Sequence, residues 1–124
     1  MLDTSVLIDS LTGPKHSGPS LQRALETPGQ VALSVLVIYE WLRGPRTERE
    51  IQMQEFLVPA SAAIPFSVED AALSADIYRS VRRARSREID IAIAACAIRH
   101  KAELWTLNPS DFADVPGLKL WRAR

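Results

Sequence analysis

The apolar residues of the chain fall into two patterns that alternate along it. Short apolar runs predict five strands, and longer stretches with apolar residues three or four positions apart predict helices. The predicted strands lie at residues 1–3, 31–33, 64–66, 103–107 and 118–121. The third contains Pro65, which cannot donate to a ladder, so we expect it near an edge of the sheet.

Serine and threonine residues ahead of the helical stretches mark where most of the helices begin. Thr47 with Glu50 and Ser67 with Asp70 have capping-box spacing. Helices are predicted from near Ser5, Ser20, Ser34, Thr47, Ser67 and Ile89. Strands that alternate with helices are typical of an α/β domain, in which a parallel sheet carries helices on both faces.

Composition is consistent with one such domain. The chain has 124 residues, 47% of them hydrophobic, so we expect a single domain over residues 1–124. One cysteine excludes an internal disulfide and favours the reducing cytoplasm. We expect neither a membrane span nor a signal peptide, because no apolar run is long enough for the first and no basic-then-apolar stretch suggests the second. The formal net charge is +0, so nucleic-acid binding would need a local basic patch.

Three carboxylates occupy positions where chemistry is expected in this fold class. Asp3 ends the first strand, and open α/β sheets bind ligands beyond the carboxyl ends of their strands. Glu40 interrupts an apolar helix, where a bare charge is costly. Asp90 lies in the first turn of an alanine-rich helix, where the helix dipole tolerates negative charge. Asn108 and Asp111 follow the fourth strand, and a parallel sheet would gather all five residues at one edge.

Carboxylates gathered in this way repel one another and need a cation among them. Mg²⁺ or Mn²⁺ suits oxygen ligands, lowers the pKa of a bound water and offsets charge on a phosphodiester. The chain has no histidine or cysteine cluster for zinc and no Gly-x-x-x-x-Gly-Lys loop for nucleotide phosphates. Metal-assisted phosphodiester hydrolysis is the reaction that these residues best support.

Four motifs carry the candidate residues in order. They read LDTSVLID at 2–9, YEWLRG at 39–44, DIAIAACA at 90–97 and TLNPSDF at 106–112, followed by VPGL at 115–118. In order and spacing, over essentially the whole length, the chain resembles PIN-domain ribonucleases of the VapC toxin type. Any one motif would be weak evidence, but four in sequence are specific.

The resemblance implies a PIN-like three-layer α/β sandwich with a five-stranded parallel sheet, and a divalent-metal endoribonuclease that uses Mg²⁺ or Mn²⁺. It also implies an RNA substrate, homodimerisation and a cognate antitoxin that covers the active site. Asp3 and Asp90 would be primary metal ligands, Glu40 would complete the acidic core, and Ser5 would orient Asp3. The family often has a fourth acid at the position of Asn108, so either Asn108 is a neutral ligand or Asp111 takes that part.

Each carboxylate also has an ordinary structural interpretation. Asp3 alone suits a helix N-cap, Glu40 alone suits an ion pair with Arg43, and Asp90 alone suits a first-turn residue. Their joint occurrence in the family's order favours the functional interpretation. For Asp111, an ordinary turn aspartate and a site residue are equally good interpretations.

Five arginines crowd residues 79–87, namely Arg79, Arg82, Arg83, Arg85 and Arg87. They suit a solvated helix end, because cations are favourable near a helix C-terminus. They also suit contact with RNA phosphate or with the antitoxin, because guanidinium groups match phosphate geometry.

Two other functional classes compete with the nuclease. A catalytically degenerate module that binds a protein or RNA partner would explain the missing acid at Asn108. A phosphoryl-transfer domain with Asp3 as covalent phosphate acceptor is disfavoured, because the haloacid-dehalogenase pattern needs an aspartate where this chain has Ser5.

Overall fold

Helices make up most of the regular structure. A computed structural model describes residues 1–14 and 16–122. Lys15, in the turn-rich stretch 13–19, and residues 123–124 of the predicted domain lie outside the described residues. The helices are α1 (Thr4–Leu11), α2 (Gly18–Leu25), α3 (Val35–Arg43), α4 (Glu48–Leu57), α5 (Val68–Ser80) and α6 (Glu88–Arg99), with 3₁₀ turns at Ala60–Ala62, Ala84–Ser86 and Pro109–Phe112.

Both predicted capping boxes are present. The Thr47 side chain accepts from the Glu50 backbone N–H while the Glu50 carboxylate accepts from Thr47 N–H, and Ser67 and Asp70 form the same reciprocal pair. The Ser34 hydroxyl accepts from Leu36 N–H at 3.0 Å and caps α3. Because these hydrogen bonds join residues only two or three positions apart, the sequence alone predicts where these helices begin.

Five extended segments lie side by side between the helices. Parallel bridges join Leu2 to Trp105, Ser34 to Ile64, and Leu104 to Leu120, and Leu2 N–H donates to the Ala32 carbonyl at 2.9 Å. From one edge to the other, the segments therefore pass through residues 64, 32–34, 1–3, 104–105 and 119–121. In the described part of the chain these pairings are isolated bridges rather than continuous strands, so the five-stranded sheet itself stays a prediction.

The core is built around α6. Ile91 and residues 93–97 are buried, and α5 packs along α6. Alanine lets neighbouring backbones approach closely, which is why this alanine-rich helix can occupy the centre. Val6, Leu7, Val37 and Trp41, from α1 and α3, are fully buried in the same core.

This packing brings parts of three elements beside one another. α1 and α6 both contact α3, so the end of the first segment, the body of α3 and the first turn of α6 lie close together. Among residues 1–14 and 16–122, no helix has both the length and the hydropathy needed to cross a membrane.

Candidate metal centre

Three carboxylates converge where these elements meet. Asp3, Glu40 and Asp90 each offer a ligand oxygen, and the three oxygens lie within 4.8 Å of one another. Asp3 is 4% exposed, while Glu40 and Asp90 are half-buried. The sequence analysis selected the same three residues. Their geometry fits a hard divalent cation, because every donor in the group is a carboxylate oxygen.

Asp3 is oriented by two hydroxyl groups. It occupies the N-cap position of α1 with extended dihedrals (φ −82°, ψ 155°), but its side chain makes no capping hydrogen bond. Instead, Oδ2 of Asp3 accepts from the Ser5 hydroxyl at 2.8 Å and from the Thr106 hydroxyl at 2.7 Å. The interpretation of Asp3 as a capping side chain is therefore wrong, because its carboxylate turns toward the cluster and does not cap α1.

Sequence reasoning missed Thr106. Its hydroxyl accepts from Asn108 N–H at 3.0 Å, while the Ser5 hydroxyl accepts from Leu107 N–H at 3.0 Å. The chain after the fourth segment is thus tied to the same two hydroxyls that hold Asp3. The available signal was a hydroxyl residue at a strand end within the TLNPSDF motif.

Glu40 is held from two sides. The Thr4 hydroxyl donates to Oε1 at 2.6 Å, and Arg43 Nη2 donates to Oε2 at 3.1 Å. The ion pair with Arg43 and the place in the acidic cluster, which the sequence offered as alternatives, therefore occur together. The Arg43 side chain is half-exposed, so its charge is largely screened by water.

The pKa of Asp90 is shifted by burial and by the other acids around it. Its pKa is raised from 3.8 to about 6, first by burial and then by the negative charges of Asp3, Glu40 and Asp111, against a smaller opposing effect of Arg87. A carboxylate in this environment is costly to ionise until a cation is supplied. The raised pKa thus agrees with the geometry in indicating a cation site.

Asn108 and Asp111 lie in the turn after the fourth segment, which Thr106 links to Asp3. Both belong to the exposed turn around Pro109–Phe112. Asp111 lies near enough for its charge to raise the pKa of Asp90, but within the described residues it is not part of the 4.8 Å group. Within the described residues the acids of this group are therefore Asp3, Glu40 and Asp90, and whether Asn108 or Asp111 takes the fourth place that the resemblance implies stays a prediction.

The arginines of residues 79–87 divide into different classes. Arg79 pairs with Asp76 on the exposed face of α5, as suits a solvated helix end, whereas Arg87 pairs with Asp114 and is largely covered. Arg85 is exposed and lines a groove of about 260 Å³ together with Arg43, Glu40 and Asp90. This groove places guanidinium groups and the acidic cluster along one surface.

Comparison with known proteins identifies the family. The model of the PIN domain family matches residues 1–118. The chain belongs to the PIN domain family. That membership agrees with the α/β order of extended segments and helices described above.

Two relatives extend this assignment. Ribonuclease VapC19 from two Mycobacterium tuberculosis strains is 27% identical over 124 residues, covering 96% of this PIN-domain chain and 96% of the relative. A chain in the crystal structure of VapBC2 from Rickettsia felis, bound to a DNA fragment from their promoter, superposes with a TM-score of 0.72 at 20% identity. That match covers 98% of this chain and 96% of the other, and it shows the fold.

Proposed function

We propose that this PIN-domain protein is a divalent-metal-dependent endoribonuclease toxin of the VapC type, neutralised by a cognate antitoxin. The observation that carries the proposal is the convergence of Asp3, Glu40 and Asp90 within 4.8 Å. The likeness over nearly the whole chain to a protein named a ribonuclease supports RNA as the substrate.

Asp3, Glu40 and Asp90 would hold the cation, Mg²⁺ or Mn²⁺. When bound, it would supply an acidified water and offset charge on the phosphodiester. The pKa of Asp90, raised to about 6, supports this role. A divalent cation would offset both the cost of burying the Asp90 charge and its repulsion from the neighbouring acids. One site of three carboxylates is proposed, with Asn108 or Asp111 as the residue that borders it.

The remaining side chains orient these ligands and the substrate. Ser5 and Thr106 fix one oxygen of Asp3, and Thr4 fixes one oxygen of Glu40. Because the hydroxyls donate to the carboxylates, they hold the carboxylate oxygens in one orientation toward the cluster. Arg43 and Arg85 line the adjoining groove, where their guanidinium groups would contact RNA phosphates beside the cleaved bond.

The protein contacts proposed for this chain are a homodimer and an antitoxin. α3 exposes Val35, Tyr39 and Leu42, which lie at positions i, i+4 and i+7 on one face of the helix. An apolar stripe on a helix of a small domain supports contact with another protein surface. The antitoxin is inferred from the VapBC2 complex, whose fold match covers almost the whole chain.

Asp90→Asn tests the proposal directly. The amide keeps the shape of the side chain but removes the charge, so we expect RNA cleavage in Mg²⁺ to fall more than about 100-fold, beyond the usual cost of losing an outer partner of a metal ligand. Asp76→Asn, on the exposed face of α5, is the matched control and should cut like the wild type. Cleavage is measured on purified protein, and target ends are mapped after brief induction of each form.

A degenerate, non-catalytic module is the second candidate, favoured by Asn108 in place of the fourth acid that the family often has. Calorimetric titration with Mn²⁺ separates the two. Binding that disappears in Asp90→Asn supports the nuclease, whereas wild-type protein that binds no Mn²⁺, or undiminished cleavage by Asp90→Asn, would overturn it.

A further inference from the structure

The Arg87 guanidinium ties together two pieces of backbone and the Asp114 side chain beside the acidic cluster. Nη1 donates to Asp114 Oδ2 at 2.9 Å and to the Arg82 carbonyl at 2.8 Å, and Nη2 donates to Asp114 Oδ1 at 2.6 Å and to the Asp111 carbonyl at 2.7 Å. The two contacts with Asp114 form a planar, bidentate pair. Arg87 therefore fixes both the loop before α6 and the turn around residues 109–114.

These two pieces of backbone form neighbouring sides of the candidate metal centre. Arg87 is the N-cap residue of α6, so Asp90 lies in the first turn that follows it. Asp111, whose carbonyl Arg87 holds, lies in the turn at Pro109–Phe112, which packs against α6. Arg87 is thus a side-chain bridge between the first turn of α6 and this turn.

The loop that Arg87 holds also needs an external restraint. Arg83 has a positive φ of 52°, in the left-handed region that non-glycine residues adopt at a cost. The bond from Arg87 to the Arg82 carbonyl lies directly beside this residue, and Asp114 Oδ2 also accepts weakly from Arg82 N–H at 3.4 Å. The Arg87–Asp114 pair therefore holds a conformation that the local sequence does not favour.

Arg87 is unsuited to bind RNA, in contrast to the expectation for the arginine cluster. Its side chain is only 16% exposed, and both terminal nitrogens are occupied by protein acceptors. A phosphate could reach the guanidinium only by displacing Asp114. Its role must then be exerted through the groups it holds.

We propose that Arg87 is a positioning residue for the metal centre, acting with Asp114 to fix Asp90 relative to the turn that carries Asp111. The inference rests on the proposed function for its effect on cleavage, but its effect on metal binding stands apart from the reaction. Outer partners that orient ligands typically contribute about 10- to 100-fold in metal affinity or activity.

The test measures Mn²⁺ affinity by calorimetry, together with kcat and KM for RNA, in Arg87→Ala, Asp114→Ala, the double variant and Arg87→Lys. Each single alanine variant should weaken Mn²⁺ binding and lower kcat about 10-fold or more, with KM little changed. The double variant should be no worse than the poorer single one, because both remove the same contact. Arg87→Lys should not restore binding, since lysine keeps the charge but loses the planar fork.

Arg79→Ala is the matched control, because it breaks an exposed arginine–aspartate pair on α5, and it should leave Mn²⁺ affinity and kcat unchanged. The proposal is overturned if Asp114→Ala binds Mn²⁺ like the wild type, or if Arg87→Ala raises KM with kcat and Mn²⁺ affinity intact. Thermal unfolding identifies a variant that has lost its fold, in which case Asp114→Ala and Arg87→Lys decide. Wild-type protein that binds Mn²⁺ but cuts no RNA would refute only the proposed function.

Discussion

Asp70 and Asp90 occupy the same position in two adjacent helices and behave in opposite ways. Each is the third residue of its helix, α5 or α6, and burial opposes the charge of both. Asp70 is 0% exposed, yet hydrogen bonds from Ser67 and Arg99 hold its pKa below its usual value. Asp90 is only half-buried, yet its pKa is raised to about 6.

The difference lies in compensation rather than in burial. The carboxylate of Asp70 accepts from Ser67 N–H and from Arg99 Nε, each at 2.9 Å. The N-cap residue ahead of Asp90 is Arg87, which makes no side-chain cap and directs its guanidinium at Asp114. A structural carboxylate thus brings its own partners, whereas the carboxylate of the candidate site faces other acids. A carboxylate whose pKa is raised by burial and by neighbouring carboxylates is typical of a functional site, here one suited to a cation.

Removing Asp70 should produce the largest change in folding stability. Asp70→Ala breaks the capping box and leaves Arg99, a partly exposed cation, without its partner. We expect the free energy of unfolding to fall by about 2–4 kcal/mol, because losing one member of a buried pair costs more than a surface pair contributes. Urea denaturation at pH 7 measures it.

Asp76→Ala provides the matched comparison within α5. Asp76 pairs with Arg79 on the exposed face, so its loss should cost less than about 1 kcal/mol. The advantage of the wild type over Asp70→Ala should also disappear in acid. The lowered pKa of Asp70 means that its contribution is complete above the unfolded-state pKa and is lost as pH falls through the folded-state pKa. Equal losses in the two variants would contradict the contrast drawn here.

The acidic centre should lose its cation over a different pH range. Since the pKa of Asp90 is about 6, protons compete with the metal below that pH, and Mn²⁺ affinity should fall about tenfold for each further pH unit. Calorimetric titrations from pH 5 to pH 8 measure this dependence, whose midpoint belongs to the coupled acids as a group.

Asp111→Asn sharpens this pH dependence. Because the charge of Asp111 raises the pKa of Asp90, its removal should shift the midpoint to lower pH and lower Mn²⁺ affinity at pH 8 only slightly, since Asp111 attracts the cation without contacting it. A large loss of affinity at pH 8 would instead identify Asp111 as a ligand. A wild-type affinity that does not change between pH 5 and pH 7 would contradict the role given to Asp90.

The sequence predicts the parts of this molecule that depend on residues close together in the chain. Capping boxes span three residues, and the helix starts at Thr47 and Ser67 were legible for that reason. The three acids were found because each follows or opens an element whose end has a known place in an α/β fold. The five-stranded sheet stays a prediction, since the pairing in the described residues consists of isolated bridges.

The parts that the sequence did not predict depend on contacts between distant residues. Thr106 reaches Asp3 across 103 positions of the chain, and Arg99 reaches Asp70 across 29. Arg87 was grouped with its neighbouring arginines because charge alone does not indicate which cation is buried. No periodicity or spacing rule encodes such pairs, so Thr106 and Arg87 emerged only from the folded chain, whereas Ser5 was expected beside Asp3 from the resemblance.

The smallest expected effect is the one that most directly tests the uncompensated charge. Without metal, Asp90→Asn should be more stable than the wild type at pH 7, because it removes a carboxylate that burial and three neighbouring acids disfavour. Asp90 is half-exposed and water screens the repulsion, so we expect a gain of about 1 kcal/mol, or about 4 °C in Tm. The folded-state pKa is raised from 3.8 to about 6, so the folded protein binds the extra proton between those values and wild-type stability falls as pH rises through them. The two proteins should therefore unfold alike near pH 4 and diverge by pH 7 in a chelator, as followed by thermal melts. An Asp90→Asn protein that is less stable than the wild type at pH 7 would mean that Asp90, like Asp70, is a structural carboxylate with its own partners.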